Sequence, residues 1–190
     1  MRHKFLFYLF VLILFHLNVM CFGYQKNSAK IEKSKVWVFA DRTRQEIEGF
    51  GASGSWWAQD VGGWPEEKVD KILDLLFSGE EGIGLNIYRY NIAAGKSEDV
   101  NDLWRTAETF ETAPGVYDWN KDKNAVKVLK LVAQRGVNNL IACAYSPPAR
   151  MTYSGGVLGH PEGKSNLRSD MYHEYAKYLI DITEHLIKEK

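Results

Sequence analysis

Strand-like and helix-like segments alternate along this chain, and that order restricts the fold more than any other feature. Residues 36–39 and 45–50 read as short strands, the second closed by glycines at 49, 51 and 54. Pro65-Glu66-Glu67 suits the first turn of a helix, because proline there forgoes no donor and the acids complement the positive helix end. Val69, Ile72, Leu73 and Leu76 recur at helical spacing up to Phe77, with Gly79 as the stop. Residues 82–92 alternate and are rich in Ile and Tyr, a strand, and a long loop runs from 93 to 119. Asp118 or Asn120 is placed to cap the next helix, whose buried stripe is Ala125, Val128, Leu129 and Val132 and whose end is Gly136. Residues 137–144 are apolar enough for a strand covered on both faces, and Ser146-Pro147-Pro148 opens a second long loop. Ser169 or Asp170 starts a last helix, with Tyr172, Tyr175, Leu179, Ile182 and Leu186 facing inward. Such alternation predicts an α/β fold on a parallel sheet, in which the loops after the strands carry function.

The first 23 residues stand apart from that pattern. Met1-Arg2-His3-Lys4 is a basic start, and residues 5–15 form an unbroken apolar run, long enough for the core of a cleavable signal peptide and too short to span a membrane. Small residues at Cys21 and Gly23 place the cut before Tyr24, so the protein is expected to be secreted or held at the cell surface or in a periplasm. Lipidation at Cys21 is the weaker reading, since bulky Met20 precedes it. Residues 24–35, polar and lysine-rich, read as a flexible linker, and residues 36–190 as one domain. The balance of 24 Lys+Arg against 24 Asp+Glu gives no electrostatic case for nucleic acid or an anionic membrane as partner. Nothing in the composition sets an oligomeric state. Cys143, inside an apolar run, reads as a small core residue.

Several motifs bear on chemistry. Gly49-Phe50-Gly51-Ala52-Ser53-Gly54 matches GxGxxG, yet no helix opens within it, so a tight turn needing glycine conformations is the better reading than a dinucleotide fingerprint. Trp56 and Trp57 are adjacent after a strand, which leaves at least one of them in a loop, where an indole can cover the flat C–H face of a sugar. Leu85, Ile87, Arg89 and Asn91 share one strand face. A guanidinium on that face requires a partner, and at a strand end it is placed to hold a carboxylate. The paired prolines hold Tyr145 at the rim of the third strand. His160, His173 and His185 lack metal-ligand spacing, and no cofactor or metal is expected.

Three separated segments together resemble glycoside hydrolase family 30, most of all its endo-β-1,6-galactanase-like branch. They are residues 47–57, residues 84–92, and residues 144–152 with Ser165-Asn166-Leu167. The resemblance implies a (β/α)8 TIM barrel with a β-sandwich at its side. This chain would supply the N-terminal part, about three βα units, with residues 36–41 as one sandwich strand. It also implies retaining hydrolysis of β-linked polysaccharide by two glutamates, which in the family follow strands four and seven, beyond the segments present here. Arg89 matches the family's active-site arginine and Tyr145 an aromatic at the third strand end, while Trp56 and Trp57 match the loop after strand one. Trp56, Trp57, Arg89, Asn91 and Tyr145 are the expected substrate-binding residues, with no catalytic residue assigned. Arg150 stands where the family usually has a tryptophan. The expected function is that of an N-terminal fragment of a secreted endo-glycosidase acting on a polysaccharide or oligosaccharide such as β-1,6-galactan. The alternatives are a non-catalytic glycan-binding protein and an inactive truncated gene product.

Overall fold

A computed structural model describes residues 35–102 and 105–189. The expected leader and all but the last residue of the linker lie outside them. In chain order the elements are β1 (Gly51–Ser53), α1 (Trp57–Val61), α2 (Glu66–Phe77), β2 (Ile87–Ile92), β3 (Glu111–Ala113), β4 (Val116–Tyr117), α3 (Lys123–Gln134), β5 (Asn139–Ala144) and α4 (Tyr172–Glu189). β1, β2 and β5 form a parallel sheet in the order β1-β2-β5, with Arg89 opposite both Ser53 and Ile141, and Asn91 opposite Cys143. β3 and β4 make a small antiparallel hairpin inside the first long loop, which the sequence did not signal.

The helices lie against one face of that sheet because the pattern of β2 demands it. Tyr88, Tyr90 and Ile92 are buried in one cluster with Val69, Leu73 and Phe77 of α2, Val128, Leu129 and Val132 of α3, and Tyr178, Ile182 and Leu186 of α4. Each such apolar side chain contributes about 1.5–3 kcal/mol when withdrawn from water. The other face, with Ile87, Arg89 and Asn91, is left for the site.

Several boundaries move, each for a physical reason. Strand pairing begins at Gly51 rather than within 45–50, because Gly51 is where the backbone runs against Ile87 closely enough that a Cβ would sit 2.6 Å from the Ile87 carbonyl oxygen. Gly49, Gly51 and Gly54 all keep ordinary φ and serve close approach, to Asn86, Ile87 and Tyr88, not a left-handed turn. β2 starts at Ile87 instead of residue 82, since the N–H groups of Ile83, Gly84 and Leu85 donate to Leu75, Ser78 and Leu76 carbonyls and close the end of α2. Asp122, not Asp118 or Asn120, precedes α3, in a left-handed conformation with φ 48°. Gly136, with φ 82°, follows the last turn of that helix as expected. In α4 the buried tyrosine is Tyr178, whereas Tyr172 is exposed. β5 is not covered on both faces: Ile141 is half exposed and Cys143 half buried on the open side, because no layer packs there among the described residues.

The chain divides after Gln45 into two units. In the described part of the first, residues 36–39 form no strand, and Val36, Trp37 and Val38 are exposed. A strand needs a neighbour for its N–H and C=O groups, and none pairs with this segment among the described residues. A turn follows instead, in which the Arg42 N–H donates to the Phe39 carbonyl and the guanidinium lies 4.8 Å from the Phe39 ring centroid.

Candidate functional site

The open ends of β1, β2 and β5 bring four of the five expected residues to one place. Trp56, after β1, and Tyr145, after β5, stack with ring centroids 5.7 Å apart and planes 24° from parallel. Arg89 in β2 reaches between the neighbouring strands. Its Nη2 donates to Tyr145 Oη at 2.7 Å, its Nε donates to Ser53 Oγ at 3.3 Å, and its guanidinium carbon lies 5.5 Å from the Tyr145 ring centroid. A strand arginine facing away from the helices is thereby compensated by hydroxyls and a ring face, while its remaining N–H groups have no described partner. Ser53 escaped the sequence reading, although its register opposite Arg89 follows once β1 and β2 are aligned.

A cleft of about 300 Å³ opens beside this pair. Its walls are Trp56, Tyr145, Asn91, Arg105 and Thr106, with Val157, Leu158 and the small residues Ala93, Ala94, Gly95 and Ala107. The Arg105 guanidinium carbon lies 5.8 Å from the Trp56 ring centroid. Asn91 is 6% exposed, and its Oδ1 has no partner among the described residues. Trp57 does not join them. It opens α1, donates Nε1–H to the Ser53 carbonyl at 2.6 Å and packs edge-on against Tyr88, so its ring supports the core beneath the cleft.

Two latches hold the cleft walls. The Asp99 carboxylate accepts from the Val157 N–H at 3.2 Å and the Leu158 N–H at 2.8 Å, tying the loop after β2 to the loop after β5. Desolvation raises the Asp99 carboxyl, but its hydrogen bonds with Ser97 and with the Leu158 and Val157 N–H groups outweigh that and hold it below the usual carboxylate range. Tyr178 of α4 donates to the Ala93 carbonyl at 2.9 Å, directly behind the cleft.

Arg150 does not line the cleft. It donates through Nε and Nη2 to the two oxygens of Glu111 at 3.0 and 2.6 Å, and through Nη1 to Glu174 at 2.5 Å. Arg150 therefore binds the β3–β4 hairpin to α4. Deeper in, Asp122 accepts the Tyr90 hydroxyl at 2.6 Å, and burial pushes its carboxyl up to about 7 despite that hydrogen bond. Among the histidines, His185 stacks on Trp119 at 3.9 Å and His160 stands edge-on to Tyr153. The described residues hold no group of His, Cys, Asp and Glu arranged for a metal ion.

Comparison with known proteins gives this geometry a context. Residues 33–190 match the model of O-glycosyl hydrolase family 30. An endo-β-1,6-galactanase from Hypocrea rufa is 27% identical over 165 aligned positions, covering 73% of this chain and 33% of that protein. A conserved exported protein from Bacteroides fragilis, solved by crystallography, superposes with a TM-score of 0.71 at 30% identity, over 80% of this chain and 34% of that one. The family 30 subfamily 8 xylanase of Clostridium acetobutylicum shares the fold, with a TM-score of 0.56 at 23% identity, over 79% of this chain and 31% of that one. The chain spans about a third of the length of these relatives.

Proposed function

Because this chain belongs to O-glycosyl hydrolase family 30, a TIM-barrel family, we propose that residues 46–190 are the first three βα units of a (β/α)8 barrel. The whole protein is then a secreted, retaining endo-glycosidase of β-linked polysaccharide, with β-1,6-galactan as its substrate. The relative from Hypocrea rufa supports that substrate. The observation that carries the reading is the Trp56–Tyr145 pair joined to Arg89 beside a cleft, at the ends of parallel strands. The aromatic pair walls the cleft with the kind of surface that covers a pyranose ring, and Arg89 is placed to orient a carboxylate.

Retention requires two carboxyl groups about 5–5.5 Å apart across the scissile bond. No glutamate of this chain lines the cleft among the described residues. Glu111 is bound to Arg150, Glu108 to Lys121, and Glu162 to Lys164. The acid/base and the nucleophile therefore belong to further chain, as the coverage of the relatives suggests. One would protonate the leaving oxygen while the other forms a glycosyl ester that water then cleaves. Residues 36–41 would pair into the side sandwich once its neighbouring strands are supplied, and residues 1–23 would direct export.

The test follows product stereochemistry. A chain extended through the remaining strands, given β-1,6-galactooligosaccharides, should release β-anomeric ends first in proton NMR, whereas the 190-residue chain should bind them without turnover. An α-anomer appearing first, or no cleavage of any β-glycan, would overturn the reading.

A further inference from the structure

Asn91 is the polar residue of the cleft whose needs the protein leaves unmet. Its side chain is nine-tenths buried, lines the cleft and makes no hydrogen bond among the described residues, and Oδ1 is buried without a partner. Buried carboxamides are normally satisfied, because water given up without replacement is costly. Its register neighbour, Cys143, offers only a weak donor, and Ala93, Ala94 and Ala107 around the cleft offer no side-chain partner. Arg89, two residues earlier on the same face, is already engaged by Ser53 and Tyr145. The strand therefore presents an amide donor and an amide acceptor side by side, next to the Trp56–Tyr145 pair.

We infer that Asn91 is the specificity-determining residue of this cleft, its carboxamide accepting from one ring hydroxyl of a neutral sugar and donating to the adjacent one. The inference rests on the glycan reading above and adds which chemical feature is recognised: a vicinal pair of hydroxyls. Because both polar atoms of the side chain are unpartnered, the two ends of the amide can be exchanged without changing the argument. A sugar lacking one of the two hydroxyls leaves half of the carboxamide buried and unpaired, so discrimination falls on that hydroxyl.

The test is a binding cycle on the 190-residue chain, using β-1,6-linked galactobiose and its monodeoxy analogues, read by tryptophan fluorescence and calorimetry. Asn91→Ala should weaken galactobiose binding about tenfold or more, as should removal of the recognised hydroxyl from the ligand, and the two losses should not add. Asn91→Leu, which keeps the approximate shape and loses both polar atoms, should bind more weakly than the parent while retaining its circular dichroism and melting transition. Galactobiose binding that is unchanged in both variants would overturn the role of Asn91 and leave the cleft as the glycan site. A parent chain that binds no galactobiose, while Trp56→Ala changes nothing either, would overturn the glycan reading together with this one.

Discussion

Trp56 and Tyr145, drawn from the loops after two different strands, face one another at 5.7 Å, and the Tyr145 hydroxyl accepts from Arg89 at 2.7 Å. One hydroxyl thus couples the aromatic pair to the cation. Tyr145→Phe keeps the ring and releases the guanidinium, whereas Trp56→Ala removes the pair. Glycan titration should show a loss of about tenfold, 1.4 kcal/mol, or more for Trp56→Ala and a smaller loss for Tyr145→Phe. Equal affinities in both variants would dissociate the pair from binding.

Arg150 and Glu111 make the second decisive contact. The Glu111 side chain is 4% exposed and accepts two hydrogen bonds from Arg150. Arg150→Met strands a buried carboxylate, which costs about 3–5 kcal/mol. Urea denaturation should show that loss, with Arg150→Lys recovering part of it. Replacing both residues by apolar ones should cost less than Arg150→Met alone.

Stability should also carry the mark of Asp122. Burial lifts its folded carboxyl to about 7, above its unfolded value of about 3.9. Between those values the folded state holds a proton that the unfolded state has lost, so stability falls as pH rises from about 4 to about 7 and then levels. The full excursion is about 4 kcal/mol at most. Asn tolerates the left-handed backbone and still accepts the Tyr90 hydroxyl, so Asp122→Asn should melt at a higher temperature than the parent at pH 8. At pH 4 the two should coincide, and an equal difference at both values would place the origin elsewhere.

Two glycines give a matched comparison. A Cβ on Gly51 would lie 2.6 Å from the Ile87 carbonyl oxygen, whereas one on Gly79 meets nothing within 4 Å. Gly51→Ala should destabilise by about 1–3 kcal/mol in chemical denaturation, and Gly79→Ala by no more than about 0.5 kcal/mol.

The amino-acid sequence alone determined the order of the parallel strands and their helices, because burial of Val69, Leu73, Val128 and Val132 depends on a local period that any fold must respect. It also put Arg89 and Asn91 on one strand face, because side chains alternate along a strand. Tertiary structure decided what no local period encodes. Register chose Gly51 as the start of β1, and long-range packing turned Trp57 toward Tyr88 while Trp56 met Tyr145. The partner of Arg150 came from a hairpin whose two short strands lack the length for a periodic signal. Burial left Asn91 unpaired and raised Asp122, since desolvation depends on what the remainder of the chain places around a group and not on its neighbours in sequence.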